Sequence, residues 1–264
     1  MLLTKFWYMA LGVINGKMTR GLIKQVTLLE PFVNENGRSD SFIFDGSYTV
    51  ANRGYNNYIQ LGFIGHHSNG ILQSIEPIKR KNFKVDISFT FDYINGSGNG
   101  FGIWISSPLE LGNLYGRNKN YIGLGVCIST TGKPYIQYLD SNGNKSNKLY
   151  IPNLNVIQTL TIIIQHPNIT IYYTNGKNNV KQLLWKGQFS LDPGVVFGIS
   201  GHTGLSTTIM KIFSVTGIPV KRIEETVKIG ETQKSNFLVT LIGIVSIICL
   251  VYYLYTTQAK KAQY

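Results

Sequence analysis

An all-β sandwich followed by a single membrane-spanning helix is the architecture the sequence predicts. Three observations carry it. Phe83–Asp92 alternates cleanly, with Phe83, Val85, Ile87, Phe89 and Phe91 on one face and Lys84, Asp86, Ser88, Thr90 and Asp92 on the other. A period of two marks a half-exposed antiparallel strand. Short apolar runs broken by turn residues recur from Phe42 to Val215 at the spacing of a sandwich, about one strand every ten residues. Phe237–Tyr255 is uncharged and mostly apolar; as a helix it would measure about 28 Å, close to the ~30 Å hydrocarbon thickness. The chain is rich in Gly, Tyr, Phe, Ile and Asn and poor in Ala and Glu, which favours strands and turns over helices.

Residues 1–16 read as a signal peptide. Lys5 precedes the apolar run Phe6–Ile14, which is too short to span a bilayer, and small residues follow, with Ala10-x-Gly12 as one cleavage site. Asn34–Gly37 and Asn52–Asn57 are turn-rich, and Phe42–Phe44 and Tyr58–Leu61 are short strands. His66–Gly70 reads as a loop leading into Ile71–Ile75. The adjacent histidines lack the third ligand that a metal site requires.

After Phe83–Asp92 comes Gly98–Ile105, which opens on a Gly-Asn-Gly turn and continues as a strand. Phe101, Ile103 and Ile105 share one face; Gly102 and Trp104 share the other. Aromatic and branched residues on both faces predict a central strand, and Gly102 predicts a gap where a backbone or ligand comes close. Tyr121–Ile128 is a further apolar run that turns at Thr130–Pro134 into Tyr135–Leu139. Leu160–Gln165 and Asn168–Thr174 form a hairpin around His166-Pro167. Leu183–Trp185, Val195–Ser200 and Ile209–Val215 complete about a dozen strands.

Residues 219–236 are polar and read as a short stalk. Within 237–255, Tyr252, Tyr253 and Tyr255 lie at the C-terminal interface, and Lys260 and Lys261 follow in the tail, 256–264. The expected topology is an N-terminal domain in the lumen and a C-terminal tail in the cytosol.

Two stretches nearly a hundred residues apart carry a resemblance: Gly98-Asn-Gly-Phe-Gly-Ile-Trp-Ile105 and Phe197-Gly-Ile-Ser-Gly-His-Thr-Gly-Leu205. They resemble the L-type (legume-type) lectins of the early secretory pathway, the mannose-binding receptors of the ER–Golgi intermediate compartment and their vesicular-membrane relatives. Members of that family carry Asp-Gly-Leu-Ala-Ile-Trp and Phe-Gly-Ile-Ser-Ala-x-Thr-Gly-Gly-Leu at these places. The resemblance implies a legume-lectin-like (concanavalin A-like) jelly roll over residues 20–218. It also implies a receptor that carries or retains secretory glycoproteins between ER and Golgi.

The family's ligand residues map unevenly. Its sugar-binding Asp falls on Asn99, which keeps an acceptor oxygen but not the charge. Its loop serine corresponds to Ser68, and its Gly-Gly-Leu-Ala-Asp sugar loop to Gly204-Leu205 without the acid. Where the family has a calcium loop, this chain reads Cys127-Ile-Ser-Thr-Thr-Gly-Lys133, with no carboxylate. Calcium takes six to eight hard oxygens, several of them charged. Asp140 remains alone, and Tyr138 is the aromatic expected to meet a sugar. The resemblance therefore implies carbohydrate binding through Ser68, Asn99, Gly204 and Leu205, and the residues imply no calcium and no other cofactor. The other reading is a pseudo-lectin that holds protein cargo or a co-receptor without sugar.

Catalysis has little to stand on. Sandwich glycosidases need two carboxylates about 5–9.5 Å apart, whereas Asp86 and Asp92 on one strand face would be about 20 Å apart. A formal net charge of +12 comes with scattered lysines and no nucleic-acid motif, so no nucleic-acid partner is expected. Cys127 has no partner, because Cys249, the second cysteine, lies in the apolar run. The expected partners are secretory glycoprotein or protein cargo, the membrane, and coat proteins that would read Lys260 and Lys261 as a retrieval signal. Asn95, Asn144 and Asn168 carry glycosylation sequons.

Carbonate washing is expected to leave the full chain in the membrane, while a chain ended at Asn236 becomes soluble. Release of the full-length chain by carbonate would overturn the anchor.

Overall fold

The computed structural model describes residues 21–51, 57–62, 67–92, 100–152, 154–204 and 209–221. The signal peptide, most of the stalk, the segment 237–255 and the tail with Lys260 and Lys261 lie outside the described residues, as do Asn95, Asn99, Leu205 and His66. Among the described residues no helix is long and apolar enough to cross a membrane.

The described residues form fifteen strands: β1 Phe42–Gly46, β2 Tyr48–Ala51, β3 Tyr58–Leu61, β4 Ser68–Ser74, β5 Asn82–Asp92, β6 Gly100–Ser106, β7 Leu111–Leu114, β8 Gly123–Ser129, β9 Tyr135–Asp140, β10 Leu149–Tyr150, β11 Gln158–Gln165, β12 Asn168–Asn175, β13 Lys181–Gln188, β14 Val196–Thr203 and β15 Ile209–Pro219. A front sheet has the order β1-β4-β14-β6-β8-β9-β10, and a back sheet the order β13-β12-β11-β5-β15-β3-β2. The two motif stretches lie side by side at the centre of the front sheet, with Ser200 opposite Gly102 and Gly198 opposite Trp104.

Inward residues of both sheets form the main core. Phe83, Val85, Ile87, Phe89 and Phe91 of β5 are fully buried and belong to it with Phe101, Ile103 and Ile105 of β6. Of the predicted polar face of β5, Lys84, Asp86 and Ser88 are half-buried. Thr90 departs from the pattern. It is buried because its hydroxyl donates to the carbonyls of Leu154 and Val156, both at 3.1 Å. Asp86 accepts from Thr161 at 2.7 Å and pairs with Lys84 at 2.6 Å, so this carboxylate is occupied by its neighbours on the sheet surface.

Three strands go beyond the sequence reading: β2, β7 and β10. All are short; β4 begins within residues read as loop, and β14 runs three residues past the strand read at Val195–Ser200. Ser68–Gly70 pair with Gly201–Thr203 through the backbone, and backbone pairing needs no apolar side chain. Ser107–Ile122, containing β7, lies over the outer face of the front sheet and closes a second apolar cluster of Ile71, Trp104, Leu109, Cys127 and Val196. The gap predicted at Gly102 is filled from within the chain. A Cβ there would sit 2.3 Å from the Trp104 indole, and one at Gly125 would be equally close to the other edge of that ring. Gly102 and Gly125 are thus the slot for Trp104, and the gap holds no ligand.

Gly125→Ala is expected to lower unfolding free energy by about 1–3 kcal/mol, because the buried indole has nowhere to shift. Gly21→Ala, where nothing lies within 4 Å of the added methyl, is the control. Denaturant midpoints of the two variants measure the difference.

Candidate functional site

One end of the front sheet gathers the positions where the resemblance places ligand contacts. β4 begins there with Ser68 and Asn69, and β14 ends there with His202 and Thr203. The register pairs Ser68 with Thr203 and Asn69 with His202. β6 begins there at Gly100, opposite His202. Gly204, the residue after β14, is buried. The register therefore brings Ser68 and Gly204 to the same end; Asn99 and Leu205 lie outside the described residues.

The side chains at this end are bound to one another. Ser68 Oγ and Thr203 Oγ1 are 2.6 Å apart and buried. His202 Nδ1 hydrogen-bonds Asn69 Oδ1, an acceptor, which assigns the proton to Nδ1. The rings of His67 and His202 are 6.2 Å apart. Burial first, and the neighbouring His67 second, hold His202 below the ordinary histidine pKa. Neither His67 nor His202 was singled out by sequence as a pair, because His202 sits inside the Phe-Gly-Ile-Ser motif and only the β4–β14 register joins them.

Asp140 is the sole carboxylate in the segment 129–152, and it faces inward. Its Oδ1 accepts from the backbone of Asn142 at 2.9 Å and of Asn144 at 3.0 Å. Its Oδ2 accepts from Tyr138 Oη at 2.7 Å and from Asn144 Nδ2 at 3.0 Å. Four hydrogen bonds use both oxygens and fold the 140–144 turn. Tyr138 is fully buried and stacks on Trp185 at 4.0 Å, so it lies inside the sandwich and not where a sugar could meet it. Its alternation with Ile136 places it on the inner face of β9. Burial and the Asp140 bond raise the Tyr138 phenol. The sequon asparagines differ in setting: Asn144 is exposed but its amide serves Asp140, whereas Asn168 is exposed at the start of β12.

The calcium that accompanies the resemblance does not fit these residues. The turn after β8 offers Thr130, whose Oγ1 is buried with no hydrogen-bond partner, and Lys133, whose ammonium sits over the Tyr150 ring. Among the described residues no group of three or more His, Cys, Asp or Glu could hold a metal ion. A neutral hydroxyl beside a lysine is a poor donor set for a hard divalent cation.

Solved structures give the architecture its family likeness. The VIP36 exoplasmic/lumenal domain in its Ca2+-bound form superposes with a TM-score of 0.66 at 18% identity, over 76% of this chain and 93% of that one. The fold is that of an L-type lectin. A legume lectin-like domain from Entamoeba histolytica matches it with a TM-score of 0.63 at 18% identity, over 76% of this chain and 98% of that one. Lectin I from Ulex europaeus matches at 0.57 and 18% identity, over 70% and 93%. No protein-family model matches the chain, and no curated protein sequence does. At such identity an L-type lectin fold is shared while the ligand residues are free to differ.

The lectin fold here also carries features that single residues in the sequence did not advertise. Arg117 is 1% exposed and lies between Trp104 and Tyr121, 4.7 and 4.6 Å from their ring centres. It donates to Ser106 Oγ at 2.6 Å, and burial lowers its pKa to about 10. Lys133 and Lys148 lie over Tyr150 and Tyr135, each at 4.3 Å. The repeated spacing of Lys133-Pro-Tyr135 and Lys148-Leu-Tyr150 was the available signal.

His202 titrates lower in the folded chain than unfolded, so its contribution to stability is complete above the ordinary histidine range and is lost as pH falls through that range to its depressed folded value. Stability between pH 7 and 5 is expected to fall less steeply in His202→Asn than in the parent. Parallel slopes in thermal melts across that range would contradict this.

Proposed function

We propose that the chain is a lectin-like cargo receptor of the early secretory pathway that works without calcium. The domain at 20–218 would face the lumen, the segment 237–255 would anchor it as a single-pass type I protein, and Lys260 and Lys261 would serve retrieval through coat proteins. The observation that carries this reading is the L-type lectin fold combined with the engagement of Asp140, whose two oxygens are spent on four hydrogen bonds. The VIP36 domain has been solved with Ca2+ and a mannose-containing glycan bound. In this chain any glycan would be held by hydroxyl, amide and backbone groups at the Ser68–Gly204 end, with Asn99 and Leu205 contributing. Non-enzymatic action accords with lectin neighbours and with the occupation of Asp86 by Lys84 and Thr161.

The pseudo-lectin reading draws on one specific observation: Ser68 and Thr203 satisfy each other, which leaves the ligand end few idle donors. Protein cargo would then be the ligand.

Calorimetry on the full-length protein in neutral detergent tests the proposal. Calcium is expected to give no binding heat, and binding of high-mannose glycans is expected to be the same with and without chelator. Chelator-sensitive mannose binding would sink the calcium-free reading; absence of any glycan binding alongside cargo capture would move the domain to the pseudo-lectin class.

A further inference from the structure

We propose that the β9–β10 edge of the front sheet binds the acidic group of an anionic saccharide, one carrying a phosphate or sulfate ester. This rests on the lectin-like reading and names the ligand class that reading leaves open. Lys133 precedes β9 and Lys148 precedes β10, each two residues before a strand tyrosine. The strands run antiparallel with Tyr135 opposite Tyr150 and Ile136 opposite Leu149. Ile136 is fully buried in the main core, which puts both tyrosines on the outer face. The lysines cross: Lys133 covers the ring of Tyr150 and Lys148 that of Tyr135. Two ammonium groups and two aromatic rings thus form one compact platform. Both lysines are exposed, and Tyr150 is 49% exposed.

Charge on this platform is uncompensated. The segment 129–152 holds Lys133, Lys145 and Lys148 against Asp140 alone, and Asp140 faces inward with its oxygens engaged. Among the described residues neither Lys133 nor Lys148 has a carboxylate partner; the ion pairs there are Lys79–Glu76 and Lys84–Asp86. Ammonium groups over the exposed Tyr150 and the half-buried Tyr135, themselves in water, are weakly held. A tetrahedral ester with several free oxygens can draw both lysines off the rings, each ammonium offering three donors. The vacated ring faces are then open to the C–H face of a pyranose. A phosphorylated or sulfated sugar supplies both halves of that match.

Other anions fit less well. A peptide adding as a strand needs a long free edge, and β10 has two residues. An anionic membrane calls for clusters of about four to eight basic residues, more than this patch contains. The platform also adjoins the ligand end of the sheet, because Ser129, at the end of β8, pairs with Tyr135.

The test uses the full-length protein in neutral detergent. Its probes are an oligosaccharide with one phosphate monoester, its sulfate-ester analogue and the matched neutral sugar, all in the presence of chelator. Expected results are a preference of about ten-fold or more for the anionic sugars that declines with added salt. Lys133→Gln with Lys148→Gln is expected to abolish that preference without moving the melting temperature, both side chains being exposed. Tyr150→Leu is expected to weaken anionic binding several-fold while keeping its salt dependence. Equal affinity for anionic and neutral sugars overturns the proposal, as does indifference to the double lysine change. Equal binding of a phosphoserine peptide or of phosphatidylserine vesicles also overturns it, by revealing a general anion surface. Anionic-sugar binding no tighter than neutral-sugar binding, both indifferent to chelator, refutes this inference alone. Neutral-sugar binding that appears with calcium and vanishes on adding EDTA refutes the calcium-free reading on which it rests.

Discussion

Burial of the front sheet on both faces depends on one aromatic residue and the cation packed against it. Trp104 projects outward from β6 into the slot left by Gly102 and Gly125, and its indole donates to Ser200 on β14 at 2.8 Å. Ser200 passes the contact on to the carbonyl of Tyr115 at 2.6 Å. Arg117 closes the stack between Trp104 and Tyr121. A guanidinium buried this far carries a desolvation cost that two π faces and a few hydrogen bonds must offset. What it secures is the segment 107–122, which keeps β6, β8 and β14 buried at every residue. Gly102 of the first motif stretch is therefore a packing residue for Trp104, and the face it lies on is sealed.

Sealing the outer face leaves ligand chemistry to the end of the sheet. There the bonds are local and mutual: Ser68 with Thr203 and His202 with Asn69. Asp140 lies at the opposite end of β9, beside Leu124, and is committed to its own turn, so the described part of the ligand end has exchanged preorganised charge for rigidity. Lysine ammonium groups at the neighbouring edge stand where positive charge is still uncommitted.

The fold was legible because its signals are periodic. The alternation of β5 and the apolar stretches of β6 and β14 follow directly from a two-residue repeat, and pairing of the two motif stretches follows from both being buried. Short strands were not legible: Leu149–Tyr150 is too brief to show a period. The candidate end was half legible. Ser68 and Gly204 came together as the motifs implied, yet the inward direction of Tyr138 required knowing which face of β9 meets Trp185. Arg117 was invisible, since a lone arginine among Asn and Gly reads as solvated surface until Trp104 and Tyr121 are seen on either side of it.

The lysine–tyrosine pairs have a further consequence for the molecule among its own copies. An open sandwich ends in exposed strands whose idle backbone groups can template another chain. Here one outermost strand of the front sheet, β10, is only two residues long and is flanked by Lys148. On the back sheet, β13 places Lys181 over Tyr172 at 4.1 Å beside the exposed Leu183. An incoming strand would have to strip water from these ammonium groups before its first backbone bond could form. The side chains that leave these two rims cationic thus also obstruct strand addition along them.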